Sequence, residues 1–68
     1  MALSARNHLK GEITEVILGT ATALITVKVG DNIVESVITK RSAEEMGLKK
    51  GNKVTAVIKA TEVMIQKG

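Results

Sequence analysis

The sequence predicts an all-β barrel of five strands with one short helix, and three observations support this class. Runs rich in Val, Ile and Thr recur along the 68-residue chain. Turn signals separate these runs at Gly19-Thr20, Gly30-Asp31-Asn32 and Lys50-Gly51-Asn52. A single helical pattern lies between the third and fourth runs. The chain is therefore expected to consist mainly of β-sheet.

The first predicted strand, from Asn7 to Leu18, is long and has an internal change of phase. Leu9, Gly11 and Ile13 share one face of the strand, whereas Val16 falls out of that alternation. Such a slip predicts a β-bulge or a strong bend, which a small barrel needs where its sheet turns a corner.

The next two strands are predicted to form a hairpin. The second run, from Ala21 to Val29, alternates apolar residues with Thr, Leu and Lys. The residues Gly30-Asp31-Asn32 favour a tight turn. That turn leads into the third predicted strand, from Ile33 to Thr39.

The only helical signal covers Lys40 to Met46. Thr39 precedes it as an N-cap, and Gly47 stands where a C-cap glycine is expected. A fourth strand from Lys53 to Lys59 and a fifth from Glu62 to Gln66 complete the chain. Three strands, a short helix and two strands are the order of an OB-like barrel. An SH3-like barrel is the main alternative that the pattern leaves open.

Length and composition favour a single domain, residues 1–68, that assembles with copies of itself. A core of this size contributes roughly 3–5 kcal/mol, so small domains are usually reinforced by disulfides, a metal or oligomerisation. The chain has no cysteine and one histidine, which argues against disulfides and against a metal-cation site. Several strands carry apolar residues on both faces. Because a barrel buries only one face of its sheet, the second apolar face predicts a homo-oligomer.

The charge of the chain favours anionic partners. Ten basic residues against seven acidic ones give a net charge of +3 and a pI near 9.5. No apolar run reaches the roughly 20 residues that span a bilayer, and no signal peptide opens the chain. We therefore expect a cytoplasmic protein that has no membrane partner.

Catalytic constellations are missing from the sequence. There is no Ser/His/Asp arrangement, no H-E-x-x-H motif and no phosphate-binding P-loop. His8 is the single histidine, and a lone histidine beside a turn is more often structural than catalytic. The sequence therefore predicts that the chain is not an enzyme.

A nucleic-acid-binding module of the OB type is the alternative function. OB folds stack bases on aromatic side chains over a basic groove, and this chain has no Phe, Tyr or Trp. Its basic residues are scattered, so phosphate contacts alone remain, and these give weak, salt-sensitive binding. The sequence therefore favours a small anion over nucleic acid as the partner.

A cluster of hydrogen-bond donors opens the chain, between Ser4 and Gly11. Within seven residues it contains a hydroxyl, a guanidinium, an amide, an imidazole and an ammonium group, and no carboxylate interrupts it. Donors of this kind, neutral and cationic together, suit an oxyanion. We therefore interpret the stretch as part of an oxyanion site.

Two further segments supply groups that suit the same ligand. The residues Thr39-Lys40-Arg41-Ser42 place two cations at the start of the helix, where a bound anion would relieve their unfavourable position. Lys59 ends an otherwise apolar strand. The alternatives stay open: the helix cations can point to water, and Lys59 can extend to solvent from the strand end.

Three motifs, which together span nearly the whole chain, resemble the molbindin family. They are Ser4-Ala5-Arg6-Asn7-x-Leu9-Lys10-Gly11, Val37-Ile38-Thr39-x-x-Ser42-x-x-x-Met46-Gly47-Leu48, and Gly51-x-x-Val54-x-Ala56-x-Ile58-Lys59-Ala60-Thr61-x-Val63-Met64. Members of this family are small molybdenum-pterin-binding-type proteins built of a single molybdate-binding (Mop/TOBE) domain.

The resemblance implies an OB-like barrel that assembles as a homohexamer, a trimer of dimers. It also implies cytoplasmic molybdenum storage and homeostasis, with molybdate, and usually tungstate, bound at subunit interfaces. The implied ligand is the bare oxyanion and no organic cofactor, since the chain offers no aromatic surface for a pterin. Because the family's domain also occurs fused to transporters and regulators, an accessory sensory module is a further reading.

Residue by residue, the family's motif falls on seven positions of this chain. The implied molybdate-binding residues are Ser4, Ala5, Arg6, Thr39, Ser42, Lys59 and Ala60. Ser4 and Arg6 would come from one subunit, and the last four from its neighbour, with Ala60 acting through its N–H group. Arg6 either contacts the anion or holds the interface. A second class of site near a threefold axis has Asn7 and His8 as candidates.

Overall fold

A computed structural model gives the structure of residues 2–68, and Met1 of the predicted domain lies outside the described residues. The elements are the strands β1 (Asn7–Leu18), β2 (Thr22–Val29), β3 (Asn32–Thr39) and β4 (Lys53–Ile58), the helix α1 (Lys40–Glu45), and a 3₁₀ helix (Ala60–Glu62). The strands form one antiparallel sheet in the order β3-β2-β1-β4, so β3 and β4 are its edges.

β1 organises the sheet because it pairs with a different strand along each half. Asn7–Glu12 is antiparallel to β4, and Glu12–Leu18 is antiparallel to β2. The register with β2 shifts between Ile13 and Glu15, which confirms the bulge or bend predicted from the change of phase. Since a bulge bends a strand and increases its twist, β1 can follow both neighbours around the core.

The core lies on the inner face of the bent sheet. Its buried residues are Ile13, Ala23, Ile25, Val27 and Ala43. Ala43 comes from α1, which packs against β2 and β3 and covers part of that face. Five buried residues make a small core, as expected for a chain of this length.

The helix and its caps follow the sequence prediction closely. α1 ends at Glu45, one residue before the predicted end. Thr39 is the N-cap, and its Oγ1 accepts a hydrogen bond from the Ser42 N–H at 3.0 Å. Gly47 has a φ of +60°, the left-handed conformation that a C-cap glycine adopts readily. Both predicted caps are therefore confirmed.

The predicted fifth strand, from Glu62 to Gln66, is not formed in this chain. Glu62 instead ends the 3₁₀ helix, in which its N–H donates to the Lys59 carbonyl oxygen at 2.9 Å. Within the described residues, the segment that follows pairs with no strand. Apolar alternation is compatible with a strand, but a strand also needs a partner backbone. The prediction of five strands is therefore not confirmed, because residues 2–68 form four.

An open groove separates the two edge strands. Apolar and small side chains of β3 and β4 form its walls, among them Val34, Ser36, Ile38, Val54, Ala56 and Ile58. The groove has a volume of about 370 Å³, and its floor includes the core residues Ile13, Ile25 and Val27. We call it the β3–β4 groove. Without a strand in this position, the barrel remains open on one side.

The outer face of the sheet is partly apolar. Ile33 and Val37 of β3 are 59% and 69% exposed. Ile17 of β1 and Leu24 of β2 lie in register with each other, and Leu24 lies opposite Val37, so the three form one cross-strand row. The prediction that apolar residues occupy both faces is therefore confirmed.

A charged row crosses the outer face at Glu12. Glu12 lies in register with Lys28 of β2 and Lys53 of β4. A hydrogen bond from Lys53 Nζ, together with the positive charge of that lysine, lowers the pKa of Glu12 below the ordinary 4.5. A lowered pKa in the folded state means that the carboxylate stabilises the fold above about pH 4.5. This contribution is lost as the pH falls through the lowered value.

We expect Glu12→Gln to flatten the acid limb of the stability curve. The wild-type chain should lose more stability between pH 7 and pH 3 than the variant loses, because only the wild type must protonate a paired carboxylate. The difference should be small, since the ion pair is exposed. Thermal unfolding followed by circular dichroism at both pH values would measure it. Equal losses in the two proteins would contradict the prediction.

Candidate functional site

The segment Ser4–Arg6 leads into β1, and its serine and arginine side chains are exposed. The Ala5 carbonyl oxygen lies 3.1 Å from His8 Nε2, a hydrogen bond that closes a turn around the segment. Asn7 Nδ2 donates to the Ile58 carbonyl oxygen at 3.2 Å. These two bonds hold the segment beside the end of β4.

Lys59 and Ala60 follow β4 directly and are exposed. Ile58 lies in register with Asn7 of β1, so Lys59 and Ala60 continue from the place where the segment Ser4–Arg6 ends. Ala60 is the first residue of the 3₁₀ helix. A helix does not use the N–H groups at its start, so the Ala60 N–H is available to a ligand.

The hydroxyl groups of Thr39 and Ser42 form a pair at the end of β3. Thr39 Oγ1 donates to Ser42 Oγ at 2.8 Å and accepts from the Ser42 N–H at 3.0 Å. Thr39 therefore uses its own proton within the pair. The proton of the Ser42 hydroxyl remains free to donate to a ligand.

The two cations of α1 behave differently from each other. Arg41 is exposed, and its Nε lies 3.8 Å from Glu45 Oε2 one turn further along the helix. Lys40 is half-buried, and its backbone N–H donates to the Ala21 carbonyl oxygen at 2.9 Å. For Arg41, the structure thus supports the interpretation that the side chain points to water.

The β3–β4 groove relates these segments to one another. Thr39 follows Ile38, and Lys59 follows Ile58, and both isoleucines line the groove. The hydroxyl pair and the Lys59-Ala60 segment therefore each follow one wall of the groove, at the C-terminal ends of two edge strands that run in opposite directions. These are the four residues that the resemblance assigned to a single subunit. Their role in binding remains a prediction.

Asn7 and His8, the candidates for a second site, both use a side-chain nitrogen within the chain. Asn7 Nδ2 is bonded to the Ile58 carbonyl oxygen, and His8 Nε2 to the Ala5 carbonyl oxygen. Each residue thereby helps to fix the segment Ser4–Arg6. A second class of anion site at these residues remains a prediction.

Sequence reasoning missed one basic cluster on the outer face. Lys10, Lys28 and Lys53 surround Glu12 at an open recess. The three lysines come from three different strands, so no run of basic residues marks them in the sequence. Only the strand registers bring them together.

Two negative findings concern residues 2–68. This part of the chain has no group of three or more His, Cys, Asp or Glu residues that could hold a metal ion. No helix in it is long and apolar enough to cross a membrane.

Comparison with known sequences identifies relatives over nearly the whole chain. The family model described as the TOBE domain matches residues 3–65. Molybdenum-pterin-binding protein 1 of Clostridium pasteurianum is 46% identical over 66 residues, which are 96% of this chain and 97% of the relative.

Solved structures of molybdate-binding proteins also resemble this chain over most of its length. A molybdate-binding protein from Sporomusa ovata superposes with a TM-score of 0.94 at 36% identity, over 98% of this chain and all of that one. The cytoplasmic molybdate-binding protein ModG, in a form with molybdate bound, superposes with a TM-score of 0.83 at 38% identity. That match covers 88% of this chain and 43% of ModG. The mostly-β, OB-like fold of the molbindin structures is thereby shown for this chain.

Proposed function

The chain belongs to the TOBE domain family, with the small molybdenum-pterin-binding proteins among its relatives, and we propose that it binds the molybdate oxyanion. The observation that carries the proposal is the match with the Sporomusa ovata molybdate-binding protein, which extends over essentially the full length of both chains. The donor groups around the β3–β4 groove support the same ligand, because they suit a tetrahedral dianion.

In the proposed site, one residue supplies the positive charge and others supply directed hydrogen bonds. Lys59 supplies a positive charge that attracts the dianion, and charge-assisted hydrogen bonds are the stronger ones. The free proton of the Ser42 hydroxyl and the N–H of Ala60 would donate hydrogen bonds that orient the anion. Thr39 holds Ser42 in place through two hydrogen bonds. Ser4, Ala5 and Arg6 complete the proposed set.

The proposed site lies between subunits of a homo-oligomer, a hexamer built as a trimer of dimers. In the single chain, Ser4, Arg6, Thr39 and Lys59 are all exposed. Water weakens the attraction between exposed charges, whereas a covering subunit lowers the local dielectric constant and strengthens it. The segment Ser4–Arg6 of one subunit would cover the hydroxyl pair and Lys59 of its neighbour. The exposed apolar row on the outer face also supports assembly.

We further propose a role in cytoplasmic molybdenum storage and homeostasis, with tungstate as a second ligand. ModG, a relative by structure, is described as cytoplasmic. Tungstate has the same tetrahedral shape and the same charge as molybdate, so donors arranged for one accept the other. The bare oxyanion is the proposed ligand, without an organic cofactor and without a reaction.

We expect titration calorimetry to detect tight molybdate binding and little binding of phosphate. Binding should also raise the melting temperature, because a ligand that binds only the assembled native state stabilises that state. Tungstate tests the second ligand, and single-stranded DNA at physiological salt tests the nucleic-acid alternative. Native mass spectrometry with and without molybdate gives the assembly and the number of anions. The absence of molybdate heat at micromolar protein would contradict the proposal.

A further inference from the structure

The open recess on the outer face, which we call the lysine recess, brings together three cations from three strands. Lys10 of β1, Lys28 of β2 and Lys53 of β4 line it, with Glu12 as its single carboxylate. Paired strands lie about 4.8 Å apart, and residues two apart in one strand about 6.8 Å. The registers therefore place the Cα atoms of the three lysines within roughly 10 Å of one another.

Two of the three positive charges in the lysine recess have no carboxylate partner. Lys53 Nζ donates to Glu12 Oε1, so these two residues largely neutralise each other. Lys10 and Lys28 are exposed, and within residues 2–68 neither forms a salt bridge. Like charges beside one recess repel each other, and a bound anion would replace this repulsion with attraction.

The size of the recess and its neutral groups suit a ligand larger than a single oxyanion. Its volume is about 600 Å³, within the range of roughly 300–1,000 Å³ that is common for small-molecule sites. Thr55 lies in register with Lys10 and is exposed, so its hydroxyl can donate a hydrogen bond. Gly30 borders the recess and has free space where a side chain would lie, so a ligand can approach its backbone closely.

We propose that the lysine recess binds a chain of condensed phosphates, the chemistry shared by inorganic polyphosphate and the triphosphate part of a nucleotide. A lysine ammonium group binds phosphate as a point charge. A phosphate chain can contact Lys10 and Lys28 where they stand, whereas a single small anion requires both side chains to converge and lose rotational freedom. The chain has no aromatic residue on which a base could stack, so the phosphates carry the recognition.

Titration calorimetry with inorganic tripolyphosphate at about 0.15 M ionic strength tests the proposal. We expect saturable binding, and weaker binding of orthophosphate. Lys10→Ala combined with Lys28→Ala should weaken tripolyphosphate binding by roughly 2- to 25-fold, because each exposed charge pair contributes about 1.5- to 5-fold. Lys49→Ala combined with Lys50→Ala is the matched control. These two lysines are also exposed but do not line the recess, so the affinity should stay unchanged.

Glu12→Gln should change the affinity in the opposite direction. Removing this carboxylate ends its repulsion of the phosphates and releases Lys53, so tripolyphosphate should bind about 1.5- to 5-fold more tightly. Glu44→Gln is the control, because it removes an exposed carboxylate of α1 and changes the net charge equally.

Three outcomes would overturn the proposal: no tripolyphosphate heat, equal affinities in the recess and control variants, or an ATP complex more than about tenfold tighter than that of tripolyphosphate. Similar affinities for ATP and tripolyphosphate would support recognition of the phosphates alone. The recess shares no residue with the proposed molybdate site. Molybdate titration of the same variants therefore reports separately on that site, and its affinity should not change.

Discussion

Lys59→Ala is expected to weaken molybdate binding by roughly 10- to 100-fold, the loss that follows when a charged hydrogen bond worth about 1.5–3 kcal/mol is removed. Lys59 is exposed and directly follows Ile58, which ends β4 and lines the β3–β4 groove. Removing its ammonium group takes away a positive charge and a donor together. Titration calorimetry with molybdate measures the change.

The matched control for Lys59→Ala is Lys67→Ala. Lys67 is also an exposed lysine in the C-terminal part of the chain, but it is not one of the proposed site residues. Its replacement alters the net charge equally and should leave the affinity close to that of the wild type. If the two variants bind molybdate equally well, Lys59 does not belong to the site.

Gly11→Ala is expected to destabilise the fold by about 1–3 kcal/mol or more, the range typical of overpacked cores. A Cβ at this position would lie 2.5 Å from the Lys28 carbonyl oxygen and 2.8 Å from Val27 Cγ1. One of these two contacts is with backbone, so a side-chain rotation cannot relieve it. A small core contributes only roughly 3–5 kcal/mol, so the variant should be largely unfolded at moderate urea concentrations.

Urea unfolding followed by circular dichroism tests this expectation. Lys10→Ala is the matched control, because Lys10 is the preceding residue of β1 and its side chain is exposed on the other face. That substitution should change the free energy of unfolding by less than about 0.5 kcal/mol. Similar unfolding midpoints for the two variants would mean that the sheet shifts at Gly11 without cost.

The strands were predictable wherever the sequence pattern determines the structure locally. β1 has the predicted bounds, and its phase change between Ile13 and Val16 is the signal that predicts the bulge. The caps of α1 were predictable for the same reason, since Thr39 and Gly47 act on their immediate neighbours.

The fifth strand was not predictable, because alternation says nothing about which backbone pairs with a segment. The segment Val63–Gln66 has the composition of a strand, and within residues 2–68 no strand pairs with it. Similarly, the motifs indicated candidate site residues but not their arrangement in space. That Thr39 and Lys59 each follow an edge strand of the β3–β4 groove depends on the strand order, and the hydrogen bond between His8 and Ala5 depends on the local turn.

The double pairing of β1 has a consequence for the order in which the chain folds. The β1–β2 and β2–β3 pairings each join strands that are adjacent in the sequence, so each of them closes a short loop. Pairing Asn7 with Ile58 instead closes a loop that contains most of the chain, and long-range pairing is the slower kind. An intermediate that lacks β4 would leave one edge of β1 open to other chains. Since Lys59 and Ala60 follow β4, an intermediate of this kind would also lack the contact that places them beside the segment Ser4–Arg6.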